Sequence, residues 1–207
     1  MRNMMKSLIL LSVMMIGGAA LAAVVEGKDY TVLSNPQPTS GKNIEVLEFF
    51  FYGCSHCYNL HPYLDEWEKE MPRGVVLKYV PTIFRSSMES MARTYYALES
   101  IGKLNQLHEP LYKAWNVNNM QLYEKEKIAD FVVSKGVDRA KFLATYNSFS
   151  MQSSVSRARQ MTRSYMIQGT PTLIVAGKYA ISGLQPVDTV RVLSEVIELA
   201  RKDESGR

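Results

Sequence analysis

Three segments in the first third of the chain have distinct patterns of apolar residues. An almost unbroken apolar run covers residues 44–51, which is typical of a buried strand. The next segment has apolar residues at steps of three and four, the helical period; these are Cys57, Leu60, Leu64, Trp67 and Met71. A second strand-like run follows at residues 75–80. The pattern therefore predicts a strand, a helix and a second strand.

From residue 86 to about residue 168 the pattern predicts helices only. Five amphipathic stretches follow one another, and Asp138 is expected to cap the fourth. Strand patterns return at residues 172–176 and 179–181, and Pro186 opens a final helix. Strands split around a helical block predict an α/β protein with one sheet and a helical insertion.

The only two cysteines among the 207 residues, Cys54 and Cys57, lie between the first strand and the helix. Cys54 falls at the predicted helix start, where free backbone N–H groups and the helix dipole favour an anion. Cys57 continues the core-facing stripe. We therefore predict that Cys54 is the nucleophile and that Cys57 is the buried resolving cysteine. A cationic His56 beside Cys54 would further favour the thiolate.

Two other uses of a Cys-x-x-Cys motif are a structural disulfide and half of a metal site. A disulfide across so short a loop constrains little of the unfolded chain, so stability is a weak reason for it. A zinc site needs four ligands, and His61 and His108 are the only other histidines in the chain. Redox chemistry is therefore the favoured interpretation.

The N-terminus has the plan of a secretory signal peptide. Arg2 and Lys6 precede an apolar segment at residues 7–16, and small residues end at Ala22. We expect cleavage after Ala22, which leaves 185 residues and lowers the net charge from +4 to about +2. Such a small charge gives little support for nucleic-acid binding. Export places the cysteines in an oxidising compartment, most simply a bacterial periplasm.

Glu48 and Lys78 are charged residues within otherwise apolar strands. Buried charges are costly unless they are paired. We predict that the two side chains face each other beneath the cysteine pair. The alternative is that each lies at a solvated strand end.

Several separated motifs in the chain resemble the DsbA family of thioredoxin-fold thiol oxidases. They are Glu48-Phe49-Phe50, Cys54-Ser55-His56-Cys57-Tyr58, Lys78-Tyr79, Gly169-Thr170-Pro171 and Gly177-Lys178-Tyr179. The resemblance implies an α/β thioredoxin fold with a helical domain inserted between the βαβ and ββα halves. The implied division is a signal peptide at 1–22, thioredoxin-like parts at 23–85 and 166–207, and a helical domain at 86–165.

The resemblance also implies roles for individual residues. Pro171 is expected to be cis and to lie against the cysteine pair, while Thr170 offers its backbone to an extended substrate. Glu48 and Lys78 fall where the family keeps a buried acid–lysine pair that manages protons near the second cysteine. Ser55 and Thr170 depart from the usual proline and valine, so they bear on substrate contact and oxidising strength.

The implied function is donation of the Cys54–Cys57 disulfide to newly exported proteins with reduced cysteines. Reoxidation would come from a membrane quinone-linked oxidase resembling DsbB, without a bound cofactor or metal, and the protein is expected to be a monomer. The alternatives are a disulfide isomerase or reductase, which would be kept reduced, and a thiol-based copper or zinc carrier.

Overall fold

The computed structural model describes residues 23–39 and 41–205, so the predicted signal peptide at 1–22 lies outside the described residues. A short strand, β1 (Thr31–Val32), precedes the first core strand. The elements that follow are β2 (Ile44–Phe50), α1 (Ser55–Lys69), β3 (Val75–Pro81), α2 (Glu89–Ser100), α3 (Leu104–Asn116), α4 (Lys125–Ser134), α5 (Arg139–Tyr146), α6 (Phe149–Ser164), β4 (Thr172–Val175), β5 (Tyr179–Ser182) and α7 (Pro186–Ser205).

The strands form one five-stranded sheet in the order β1-β5-β4-β2-β3. β2 and β3 are parallel and are connected through α1, while the other neighbours are antiparallel. Antiparallel strands can be joined by a tight turn, whereas parallel strands need a crossover. The helices α2 to α6 lie between β3 and β4 in the chain. The α/β thioredoxin fold with a helical insertion is thus confirmed, and the exact domain boundaries stay a prediction.

Side chains from the two faces of the sheet enter different hydrophobic clusters. Ile44 and Val46 lie in one cluster together with apolar residues of α1 and α7. Leu47 and Phe49 lie in another, together with residues of α2 and α6. Because successive strand residues point to opposite faces, the alternation along β2 separates the two clusters.

The helical block has a hydrophobic core of its own, and Cys57 belongs to it. One predicted helix cap is confirmed. Asp138 caps α5, since its Oδ1 accepts a hydrogen bond from the Lys141 N–H at 2.7 Å. The prediction that Met71 belongs to the helix is wrong, because α1 ends at Lys69; Met71 follows it as a half-buried residue that still packs against the cluster of α1 and α7. Within the described residues, no helix is both long and apolar enough to cross a lipid bilayer.

Candidate active site

A tight turn between β2 and α1 carries the first cysteine. The Cys54 N–H donates to the Phe51 carbonyl at 3.0 Å, which closes the turn. Cys54 itself is extended, with φ −94° and ψ 115°, and it occupies the N-cap of α1, which begins at Ser55. Its sulfur therefore lies where the first helical N–H groups have no partner within the helix.

Cys54 is a half-buried free thiol that donates to the Thr170 carbonyl, with Sγ and O 3.2 Å apart. The Thr170–Pro171 peptide bond is cis, as the resemblance implied. The Cys57 thiol is the main cause that lowers the pKa of Cys54, to about 5. The Thr170 side chain and the backbone N–H groups of Cys57 and His56 lower this pKa further, while partial burial opposes them. The Cys54 thiol is thus poised to ionise well below neutral pH.

Cys57 is fully buried in the helical-block core. Burial raises its pKa well above the ordinary value, and the Cys54 sulfur and the charge of Glu48 raise it further. A buried thiolate is unfavourable, so Cys57 stays protonated while Cys54 ionises. The structure therefore leaves the Cys54 sulfur partly accessible and buries the Cys57 sulfur, as the helical pattern predicted.

Glu48 is buried, and its Oε1 has no hydrogen-bond partner. Burial is the main cause that raises its pKa to about 8, and the charges of Cys54 and Asp65 add to the shift. A carboxylic acid with this pKa is largely protonated at pH 7. Glu48 thus lies in the interior as a proton-holding group.

The predicted pairing of Glu48 with Lys78 is wrong. In the β2–β3 register Glu48 lies opposite Tyr79, and Lys78 lies opposite Leu47 on the other face of the sheet. Lys78 is half exposed, and its Nζ binds Glu45 Oε2 at 2.5 Å. A shift of one residue in register moves a side chain to the other face, so spacing along the chain could not decide the pairing.

Two buried histidines, His61 and His108, lie in the same interior region. They were considered above only as possible zinc ligands. His108 Nδ1 and the Tyr52 hydroxyl are 2.7 Å apart, and the His108 and His61 ring centroids are 4.9 Å apart. Burial lowers the pKa of His108 to about 3 and also lowers that of His61, so both rings are neutral near pH 7. The signal for His61 was its position four residues after Cys57 on the same helix face. The signal for His108 was of the same kind, since it lies four residues after Leu104 and three before Leu111 on the apolar stripe of its helix.

A groove beside Cys54 joins several of the other predicted residues. It encloses about 830 Å³ and is lined by His56, Thr170 and Pro171, together with apolar residues of β4 and β5. His56 and Ser55 are exposed at the start of α1, and only His56 lines the groove. Grooves with apolar walls and a few polar groups at one end are typical ligand sites.

Within the described part of the chain, no group of three or more histidine, cysteine, aspartate or glutamate side chains is arranged so that it could hold a metal ion.

Comparison with known proteins gives one consistent family. The model of the DSBA-like thioredoxin domain matches residues 59–193. The thiol:disulfide interchange protein DsbA of Pseudomonas aeruginosa is 35% identical over 207 residues, covering 97% of this chain and 98% of that protein. The DsbA of Burkholderia cepacia is 36% identical over 163 residues, covering 78% of this chain and 77% of that protein.

Solved structures agree with these relatives. The crystal structure of P. aeruginosa DsbA matches with a TM-score of 0.82 and 34% identity, covering 86% of this chain and 95% of that chain. The oxidoreductase NmDsbA1 from N. meningitidis matches with a TM-score of 0.80 and 28% identity, covering 87% and 96%. The similarity extends over most of each chain, well beyond the cysteine motif.

Proposed function

The chain belongs to the DsbA-like thioredoxin family and is a thiol:disulfide oxidoreductase, and we propose that it donates a Cys54–Cys57 disulfide to newly exported proteins. One observation supports the roles assigned to the two cysteines. The pKa of the accessible Cys54 is lowered to about 5, whereas that of the buried Cys57 is raised. This difference makes Cys54 the better leaving group and makes Cys57 hard to ionise.

The reaction begins with attack of a substrate thiolate on the sulfur of Cys54 in the oxidised protein. The Cys54–Cys57 bond breaks, a mixed disulfide forms, and Cys57 leaves with the electron pair and takes up a proton. A second substrate thiolate then attacks the substrate sulfur of the mixed disulfide and expels Cys54 as a thiolate. Two substrate thiols have become a disulfide, and the enzyme has gained two electrons and one proton. The other proton is released to solvent.

Glu48 is the proposed source of the proton for Cys57. Its charge raises the pKa of Cys57, so the two groups are electrostatically coupled in the interior. With a pKa of about 8 Glu48 holds a proton at pH 7, and it can give this proton to a sulfur that is more basic still. Lys78 has no part in this proposal, since it lies on the other face of the sheet.

Thr170 and Pro171 are the proposed substrate contacts. The Thr170 carbonyl lies 3.2 Å from the Cys54 sulfur, so a peptide strand paired to this backbone passes directly over the reacting atom. Backbone pairing recognises extended chains with little regard for side chains, which suits an enzyme that acts on many unfolded proteins. Ser55 and His56 are exposed beside the attacked sulfur and are the proposed remaining contacts.

We further propose that the protein works in the periplasm and is reoxidised there by a membrane quinone-linked partner resembling DsbB. Support comes from the family and from the signal-like pattern at residues 1–22. The isomerase or reductase alternative and the copper or zinc carrier are not favoured, since the similar proteins are thiol:disulfide interchange proteins named DsbA.

The equilibrium of the Cys54–Cys57 pair with glutathione tests this proposal. We expect the disulfide of residues 23–207 to be lost under mildly reducing ratios of reduced to oxidised glutathione, because the Cys54 thiolate stabilises the reduced form. The oxidised protein should also convert a dithiol peptide to its disulfide in stoichiometric amount. A disulfide that persists until a strong reductant is added would identify a reductase centre or a structural bond instead.

A further inference from the structure

Helix α3 of the inserted block contacts the turn before Cys54 at three points. The Tyr52 hydroxyl is bonded to His108 Nδ1 at 2.7 Å. The Tyr52 carbonyl accepts from Asn116 Nδ2 at 2.8 Å. The indole of Trp115 lies against one side of Gly53, the residue directly before Cys54. His108, Trp115 and Asn116 all belong to α3, which lies more than fifty residues further along the chain.

Asn116 ties the end of α3 to the turn through its side-chain amide. Nδ2 donates both to the Tyr52 carbonyl and, within α3, to the Tyr112 carbonyl, each at 2.8 Å. Tyr52 is almost completely buried, and a buried carbonyl that loses its donor is costly. An amide satisfies the site because it presents two N–H groups to two oxygens.

Gly53 makes room for the contact with Trp115. A Cβ at this position would lie 2.6 Å from Phe51 Cε1 and 2.9 Å from Trp115 Cε3, which no side chain tolerates without a shift of one ring. The indole itself packs against two further rings, with centroids 5.5 Å from Phe51 and 4.7 Å from Tyr123. Glycine and the packed indole together fix how closely α3 approaches the turn.

We propose that Asn116 and Trp115 are positioning residues that hold the turn at residues 51–54, so that the Cys54 sulfur stays against Thr170 and the first N–H groups of α1. The inference rests on the redox role proposed for Cys54. Hydrogen bonds to a sulfur weaken steeply with distance and angle, so a small displacement of the turn loosens all of them at once. The inserted helical block therefore takes part in the chemistry, although it contributes no cysteine.

Asn116→Ala tests the hydrogen-bonded contact, with Asn118→Ala as the matched control. Asn118 lies two residues further on and is exposed. The readouts are the Cys54 pKa, from thiolate absorbance against pH, and the equilibrium constant with glutathione. We expect Asn116→Ala to raise the Cys54 pKa by about one unit and to shift the equilibrium about tenfold toward the disulfide. The control should keep the values of the unaltered protein.

Trp115→Phe provides a second, milder variant that keeps an aromatic ring. We expect it to raise the Cys54 pKa by less than Asn116→Ala, and it decides the question alone if Asn116→Ala does not fold. Folded variants that keep the pKa and glutathione equilibrium of the unaltered protein would overturn the positioning role. The proposed function fails separately, if the unaltered protein itself does not oxidise a dithiol peptide.

Discussion

Cys54 and Cys57 lie three residues apart at the start of α1, yet their surroundings differ in each respect that governs a thiol. Cys54 is half-buried at the helix N-terminus, where hydrogen bonds lower its pKa to about 5. Cys57 is fully buried in the core of the helical block, where desolvation raises its pKa. Three residues are nearly one helical turn, so the sequence separation is small while the change of environment is complete. The comparison shows that hydrogen bonding and solvation decide the chemistry of each sulfur.

Glu48 and Lys78 show the same contrast between interior and surface. Both stand in sheet strands, but Glu48 is buried with an unsatisfied oxygen, while Lys78 is half exposed and paired with Glu45. The pKa of the buried acid is raised to about 8. An exposed ion pair contributes little to stability, whereas an unpaired buried acid makes stability depend strongly on pH.

Removing one sulfur at a time gives the largest expected effects. Cys54→Ser should abolish oxidation of a dithiol peptide, because the attacked sulfur is lost. Cys57→Ser, incubated with a peptide that contains a disulfide, should instead accumulate mixed disulfides, because the Cys54 thiolate attacks the peptide disulfide, releases one peptide thiol, and no resolving sulfur then displaces the peptide. Mass spectrometry of non-reduced samples measures both. Mixed disulfides on Cys57 in the Cys54→Ser variant would reverse the assigned roles.

Glu48→Gln should change how stability depends on pH. Because the folded pKa of Glu48 is about 8, above its unfolded value, the folded state holds a proton that the unfolded state has lost. Its contribution to the free energy of unfolding is fully present below about pH 4.5 and is lost as the pH rises through 8. The size of this contribution is about 1.4 kcal/mol for each unit by which folding raises the pKa. Urea unfolding of the oxidised protein, in which no thiol titrates, should show this decline between about pH 6.5 and 8, because at lower pH the buried neutral His108 makes stability rise with pH and opposes it. Glu48→Gln should flatten it, and an equal slope in both proteins would contradict the buried-acid assignment.

His56→Ala should have a smaller effect on Cys54. His56 lowers the Cys54 pKa through its backbone N–H, which alanine retains. We therefore expect the Cys54 pKa to rise by only a few tenths of a unit, roughly a twofold change in the ionisation constant. Thiolate absorbance against pH measures it. A rise as large as that expected for Asn116→Ala would assign the effect to the imidazole.

Lys78→Ala should have the smallest effect. The lysine side chain is 52% exposed and its partner Glu45 only 15%, so water must replace the ammonium group at the edge of the carboxylate. We expect a loss of less than about 1 kcal/mol in the free energy of unfolding. The decline of stability with pH should match that of the unaltered protein, which makes this variant the control for Glu48→Gln. A steeper or flatter decline would place Lys78 in electrostatic contact with Glu48.

The order of the strands and helices could be predicted because local periodicity carries it. The stripe of Cys57, Leu60, Leu64 and Trp67 assigned one face of α1 to the core, and these residues are buried. The same stripe separated the two cysteines before any contact was known. His61 was within reach of this reasoning, since it lies four residues after Cys57.

The contacts between distant segments could not be predicted in this way. Whether Glu48 meets Lys78 depends on the β2–β3 register, which alternation within each strand leaves open. His108 and Asn116 bond Tyr52 only because α3 packs beside the turn. The helical period can assign such a side chain to the buried face, but its partner in a distant segment is known only from the packing.

The motif, its place at a helix start, the split sheet and the family resemblance could all be predicted from the chain, because each depends on local spacing. The distant groups that surround the two sulfurs are known only from the packing of the folded protein. The pKa of a thiol depends on atoms within a few ångströms in space, and here those atoms come from the other cysteine of the pair, from Glu48 and Thr170, and from the neighbouring backbone N–H groups. Folding brings Thr170 beside Cys54 across 116 residues of chain, and no local pattern encodes that distance.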